Sequence, residues 1–112
     1  MKTKNDFINK VQIYSLNDLK SHYRRVTQGH WFDADTMRFF NSRISSDLFY
    51  SPKKGLIYFI SSEKYNYDSP RYYSVRSYEP KTGDIETIGE FQAYGTLGSA
   101  KTAAKKLTEG KI

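Results

Sequence analysis

Cysteine is absent from this chain. No disulfide frame and no thiolate metal site can hold the fold, so the core has to suffice alone, as in a protein of a reducing compartment. Long apolar runs are missing too: nothing approaches the ~20 consecutive apolar residues that span a bilayer, and Met1–Asp6 is not followed by the apolar stretch of a secretory signal. Together these absences point to a cytoplasmic protein with no membrane partner. His22 and His30 are the only imidazoles. Neither stands in a nucleophile arrangement or at metal-ligand spacing, and Gly95 and Gly98 lack the strand, spacing and lysine of a phosphate loop. Catalysis, a bound metal and a cofactor are therefore not expected.

What the chain has in quantity is aromatic and basic. Ten Tyr, seven Phe and Trp31 offset a low aliphatic content, since a buried ring removes roughly 150–250 Å² from water while Tyr keeps a polar end. The 112 residues contain no internal repeat and form one domain, 1–112, of a size that buries ~65% of its unfolded surface. Eighteen Lys and Arg against twelve Asp and Glu give a net charge of +6. That excess favours contact with polyanions and equally serves solubility.

Met1 to about Tyr14 reads as a short helix or an extended lead-in, anchored by Phe7, Ile8, Val11 and Ile13. Ser15 then caps a helix, with Asp18 three residues on and Leu16, Leu19, Tyr23 and Val26 along one face, and Gly29 ends it. Lys20 and Arg24 share a flank of that helix. Asp33 is placed to cap a second helix, with Asp35 in its first turn and Met37, Phe40 and Ile44 on its inner face. The two acids could also hold a divalent ion, but capping accounts for both without one.

From Asp47 the rhythm becomes that of strands and turns. Leu48–Tyr50 and Leu56–Ile60 flank the turn Pro52–Gly55; Arg71–Tyr78 and Asp84–Glu90 flank Pro80–Asp84. Ser99 is the expected cap of a last helix, with Ala100, Ala103, Ala104 and Leu107 on its inner face, Lys101 and Lys105 opposite, and Gly110 as its end. The expected fold is α+β, a four-stranded antiparallel meander with helices packed on one face, in the order α-α-β-β-β-β-α. Met37, Phe40, Ile44, Leu56, Tyr58, Ile60 and the alanine face would meet in one core.

Binding chemistry concentrates in two places. Alternation along the third strand puts Tyr72, Ser74, Arg76 and Tyr78 on one face and Arg71, Tyr73, Val75 and Ser77 on the other, so cations and rings share a surface on which bases could stack. The last helix adds Lys101 and Lys105. Arg71, Tyr72, Arg76, Tyr78, Lys101 and Lys105 are the candidate binding residues; ordinary core and amphipathic surface would explain the same pattern.

The segment Gly29-His-Trp-Phe-Asp-Ala-Asp-Thr-Met-Arg-Phe-Phe-Asn-Ser-Arg43 resembles a widespread group of small proteins carried by phages, prophages and plasmids. Its members have no agreed activity. The resemblance implies an accessory protein that acts by binding, with a host-defence nuclease or a nuclease–RNA complex as partner in the manner of anti-CRISPR inhibitors. The order strand, turn, strand and Gly98-Ser-Ala-Lys-Thr-Ala-Ala-Lys-Lys-Leu107 is also faintly similar to double-stranded-RNA-binding domains, in which the last helix sets lysines across phosphates. That likeness would assign Lys101, Lys105 and Lys106 to phosphate contact and keeps direct nucleic-acid binding as the alternative function.

Overall fold

The structure is a computed structural model that describes residues 4–29, 31–33, 37, 42–64, 68–89 and 92–109. The lead-in is helical: α1 spans Lys4–Val11 and stops where Gln12 turns left-handed (φ 58°) and donates its N–H to the Ile8 carbonyl at 2.8 Å. After it, α2 runs Leu16–Thr27 from the Ser15 cap, whose hydroxyl accepts the Asp18 N–H. Asp18 returns the favour one residue earlier than in a standard capping box, accepting the Tyr14 N–H at 3.0 Å. The helix ends at Gln28, not Gly29. Gln28 takes the left-handed position (φ 56°) and closes onto the Arg24 carbonyl.

Five antiparallel strands follow: β1 Arg43–Ile44, β2 Phe49–Ser51, β3 Leu56–Lys64, β4 Arg71–Glu79 and β5 Asp84–Ile88. The expected four-strand meander is present as β2 to β5, and β1 is added to it: Ile44, expected on the inner face of the second helix, lies in a strand. β1 and β2 both pair with β3 along the same edge, Ile44 opposite Ser61 and Phe49 opposite Tyr58, so five residue steps on one side match three on the other. The two extra residues bulge out. From that edge the order is β3, β4, β5, with β3 and β4 in register from Ile57↔Tyr78 to Lys64↔Arg71. Last comes α3, Leu97–Thr108. Its cap is Thr96, not Ser99; the Thr96 hydroxyl accepts the Ser99 N–H, which leaves Ser99 in the first turn.

The expectation of helices on one face does not hold, because both faces of the sheet are covered. Every residue from Ile57 to Glu63 is buried, which a strand achieves only inside a sheet packed on both sides. On one face Ile57, Phe59 and Tyr78 pack with Phe7 of α1, Leu19 of α2, Ile13 and Phe32. On the other, Tyr58, Ile60 and Val75 pack with Ala100, Ala103, Ala104 and Leu107 of α3. The single expected core is thus two cores. Leu56, Tyr58 and Ile60 share the alanine face as expected, whereas Ile44 belongs to the opposite side, Met37 is half-buried and Phe40 lies outside the described residues.

Candidate functional site

The face under α1 and α2 changes character along the strands. Near the turns it is apolar; toward Glu63 it becomes polar while staying buried, with Phe59 opposite Arg76, Ser61 opposite Ser74 and Arg76 opposite Thr87. Arg76 is built into this region. Its Nε donates to Ser61 Oγ at 2.9 Å, Nη2 reaches Glu63 Oε1 at 3.3 Å, Nη1 bonds Thr87 Oγ1, and the guanidinium stands 5.5 Å from the centre of the Trp31 ring. The Arg76 and Glu63 side chains are only 14% and 8% exposed. Burial pushes the Glu63 carboxyl above its ordinary value, against the pull of Arg76 and of the Ser61 hydroxyl, and it lowers the Arg76 guanidinium against the pull of Glu63. In both partners the desolvation cost outweighs the attraction. Glu63 Oε2 is buried and has no hydrogen-bond partner among the described residues.

Two of the six candidate binding residues are therefore not at the surface. Tyr78 is fully buried, and Arg76 is held between Glu63, Ser61, Thr87 and Trp31. The alternation was read correctly, but the face carrying both residues is the one that α1 and α2 cover, which corrects their assignment to an exposed contact. Tyr72, at the far end of the same face, is 43% exposed. Arg71 is half-buried on the opposite face, where its Nη1 donates to the Ser62 carbonyl at 3.0 Å and the Ser62 hydroxyl at 2.9 Å. Lys101 pairs with Asp47 at 2.6 Å and ties α3 to the bulge between β1 and β2. Lys105 is exposed.

The remaining polar candidates have local partners. His22 Nδ1 lies 2.6 Å from the Tyr78 hydroxyl at the edge of the core. Asp33 accepts from Arg24 Nη2 at 3.4 Å, and its carbonyl accepts the Met37 N–H at 3.0 Å, one helical turn on. His30 and Asp35 lie outside the described residues. Among the described residues no three His, Asp or Glu side chains converge as a metal site would require.

A further cleft lies at the turn end of the sheet. A cavity of about 470 Å³ is walled by Phe7 and Val11 of α1, Pro52 from the β2–β3 turn and Pro80 from the β4–β5 turn, with Lys10, Lys53, Lys54 and Lys81 around it. Each lysine is exposed, and none is in an ion pair with another described residue. Asp6 and Glu79 also line the cleft, so among the described residues four positive charges face two negative ones. The local sequence explains the positions. Lys53 and Lys54 precede Gly55, whose left-handed backbone (φ 68°) closes the turn onto the Ser51 carbonyl at 2.9 Å. Lys81 stands beside buried Pro80 in a turn closed from the Gly83 N–H to the Glu79 carbonyl at 2.7 Å. Lys10 sits in the last turn of α1, where a cation complements the helix dipole.

A second cavity shares Pro52 with this cleft and is lined by Lys105 and Thr108 of α3 and by Glu109 just after it, together with Leu48, Phe49 and Tyr50. Lys105, read from the sequence as a binding residue, thus stands on the other side of the same turn. Sequence reasoning missed Lys10, Lys53, Lys54 and Lys81. Two lysines beside a turn glycine are a weak signal, and nothing local shows that Lys10 and Lys81 converge on them.

The model of a family of unknown function, DUF7447, matches residues 15–105. No curated protein and no solved structure matches the chain. The matched segment holds α2 and the whole sheet; α1, which supplies one wall of the lysine cleft, precedes it.

Proposed function

The chain belongs to that family of unknown function, so its activity has to be argued from its own surface, and we propose that it is a non-enzymatic protein that binds nucleic acid through the lysine cleft. The observation that carries this reading is the convergence of Lys10, Lys53, Lys54 and Lys81 on one apolar-walled cleft with none of them in an ion pair among the described residues. Like charges placed together are a cost that a polyanion removes, and phosphate neutralisation with counterion release supplies most of sequence-independent affinity. The apolar wall gives a base or a sugar something to lie against. Past Pro52 a further lysine, Lys105, stands beside Glu109 and adds a fifth cation within reach of the same polyanion.

Fluorescence anisotropy with single- and double-stranded oligonucleotides across a salt series tests it. Five phosphate contacts, from the four cleft lysines and Lys105, give a log–log slope of about −3.5 to −4.5, and replacing Lys53, Lys54 and Lys81 by Gln reduces its magnitude by about two to three. An unchanged slope in the triple variant, or no binding at low salt, would rule out the cleft.

A second reading, inhibition of a host-defence nuclease, is favoured by Tyr72. A 43% exposed tyrosine ring is of the residue type enriched at protein interface anchors. Retention of a nuclease complex by the wild type and not by Tyr72→Ala, without affinity for bare nucleic acid, would put this reading first.

A further inference from the structure

We infer a phosphomonoester pocket on the opposite face and at the opposite end of the sheet, formed where Arg43 and Arg71 flank Ser62. The register brings them together. Arg43 on β1 is directly opposite Ser62 on β3, Tyr73 on β4 is opposite Ser62 from the other side, and Arg71 follows two residues earlier on the same face. A cavity of about 200 Å³ opens among Arg43, Ser45, Ser62, Arg71 and Tyr73, with Leu97, the first residue of α3, on its wall.

Its chemistry is one-sided. Among the described residues no carboxylate lines the cavity. The first turn of α3 contains no acidic residue, so the positive end of that helix is not neutralised from within. Arg71 is held in place by its bonds to the Ser62 carbonyl and hydroxyl. Arg43 is exposed and forms no ion pair with another described residue. Two guanidiniums with hydroxyls between them match the oxygens of a phosphate better than a point charge does. With a water taking roughly 30 Å³ of liquid, the cavity has room for a phosphate and part of the group it is attached to. That size favours a terminal or free phosphomonoester over the through-running backbone of a polymer. The Tyr73 ring and Leu97 would receive the attached group.

The site is separate from the lysine cleft and is tested separately. Amide chemical shifts of the full chain are followed during titration with inorganic phosphate, with sodium chloride of matched ionic strength as control. Phosphate is expected to shift Ser62, Tyr73 and Leu97 saturably, and Arg43→Gln to weaken it about tenfold, the loss of one charge-assisted contact, with no change in melting temperature. The Lys53, Lys54 and Lys81 triple variant is expected to bind phosphate as the wild type does, so failure of the cleft leaves this result standing. Equal shifts with chloride, or unchanged phosphate affinity in Arg43→Gln, would overturn the pocket. Its source is read from one oligonucleotide with a 5′-phosphate or a 5′-hydroxyl. Tighter binding of the phosphorylated form, lost in Arg43→Gln, identifies a nucleic-acid end; equal binding of both beside saturable phosphate binding identifies a small phosphorylated molecule.

Discussion

His22 and Tyr78 meet at 2.6 Å where α2 crosses the sheet, and burial drives both toward their neutral forms. The ring of His22 is held below its ordinary value of 6.5, by burial first and by the nearby Arg25 second. Burial pushes the Tyr78 hydroxyl up to about 12. A neutral imidazole with its proton on Nε2 accepts the phenol's bond, and the two rings stand edge to face at 89°.

This contact makes stability depend on pH. Below 6.5 the unfolded chain protonates His22 more readily than the folded one, so stability rises with pH over that interval. The contribution is complete above the unfolded value and is lost as pH falls through the lowered folded value. Glu63 acts in the other direction: its carboxyl is raised from 4.5, so its contribution is complete below that value and is lost as pH rises through the folded one. His22→Gln keeps an acceptor for Tyr78 and removes the titration. Its urea-derived stability is expected to fall less than that of the wild type from about pH 7 to about pH 5. Parallel curves would mean that the ring is not held neutral.

Arg76 and Glu63 give a second expectation, in which the single and double variants differ in kind. Arg76→Ala leaves the Glu63 carboxylate buried without its partner and is expected to cost about 3–5 kcal/mol. Replacing both residues with Met removes both desolvation costs and is expected to cost far less, or nothing. Trp31 fluorescence in denaturant titrations reads both, since the Arg76 guanidinium lies over its ring. A double variant as unstable as the single one would mean that the bonds to Ser61 and Thr87, and not the charge pair, hold this region.

The same residues show where the sequence is legible and where it is not. Strand alternation correctly put Tyr72, Ser74, Arg76 and Tyr78 on one face, but periodicity does not say which face is covered. Ser61, Ser62 and Glu63 are polar and yet buried, so hydropathy hides the upper half of β3 and with it the second packed face. The caps follow from a local rule and were nearly right: Ser15 holds, while Thr96 takes the place of Ser99 because Leu97 begins the apolar spacing one turn earlier. Gly29 was the natural stop, and Gln28 fills the role in a conformation that favours glycine. The α3 face, Ala100 to Leu107, was fully readable. The two cationic sites were not, because each is assembled from different elements: Lys10 joins two turns, and Arg43 meets Arg71 only through the register at Ser62.

Ala104 offers a test of the second core. It is fully buried in the cluster with Ile60 and Val75, and its small side chain lets α3 lie close to the sheet. Ala104→Leu is expected to cost about 1–3 kcal/mol by overpacking, measured by urea unfolding. A neutral or stabilising change would mean that α3 does not pack closely there.

Two turn glycines with similar backbone angles are expected to respond differently. Gly55 and Gly83 have φ of 68° and 79°, so an added Cβ strains either turn, at about 1–3 kcal/mol. At Gly55 that is the whole effect, since no described residue lies within 4 Å of the added atom. At Gly83 the Cβ would also overlap Thr27 Cγ2 and press on Val26 Cγ1 at 3.2 Å, because this turn docks on the end of α2. Thermal unfolding should therefore rank Gly83→Ala well below Gly55→Ala, and equal losses would place the β4–β5 turn away from α2.

Lys101 and Lys105 separate the cleft from the helix as the contact surface for nucleic acid. Both are on α3, but the Lys101 ammonium is engaged by Asp47 at 2.6 Å, and Lys105 stands beside Pro52 on the rim shared with the cleft. Breaking the half-exposed Lys101 pair is expected to cost at most about 1 kcal/mol of stability. On the proposed reading Lys105→Gln lowers the salt slope by about one and Lys101→Gln leaves it nearly unchanged. If phosphates instead cross α3 itself, as the likeness to double-stranded-RNA-binding domains suggests, Asp47→Asn would release the Lys101 ammonium for a further contact. The slope would then steepen by about one. Measuring the three variants in one salt series decides the matter: a steeper slope in Asp47→Asn would move the interface from the turn end of the sheet to the face of α3.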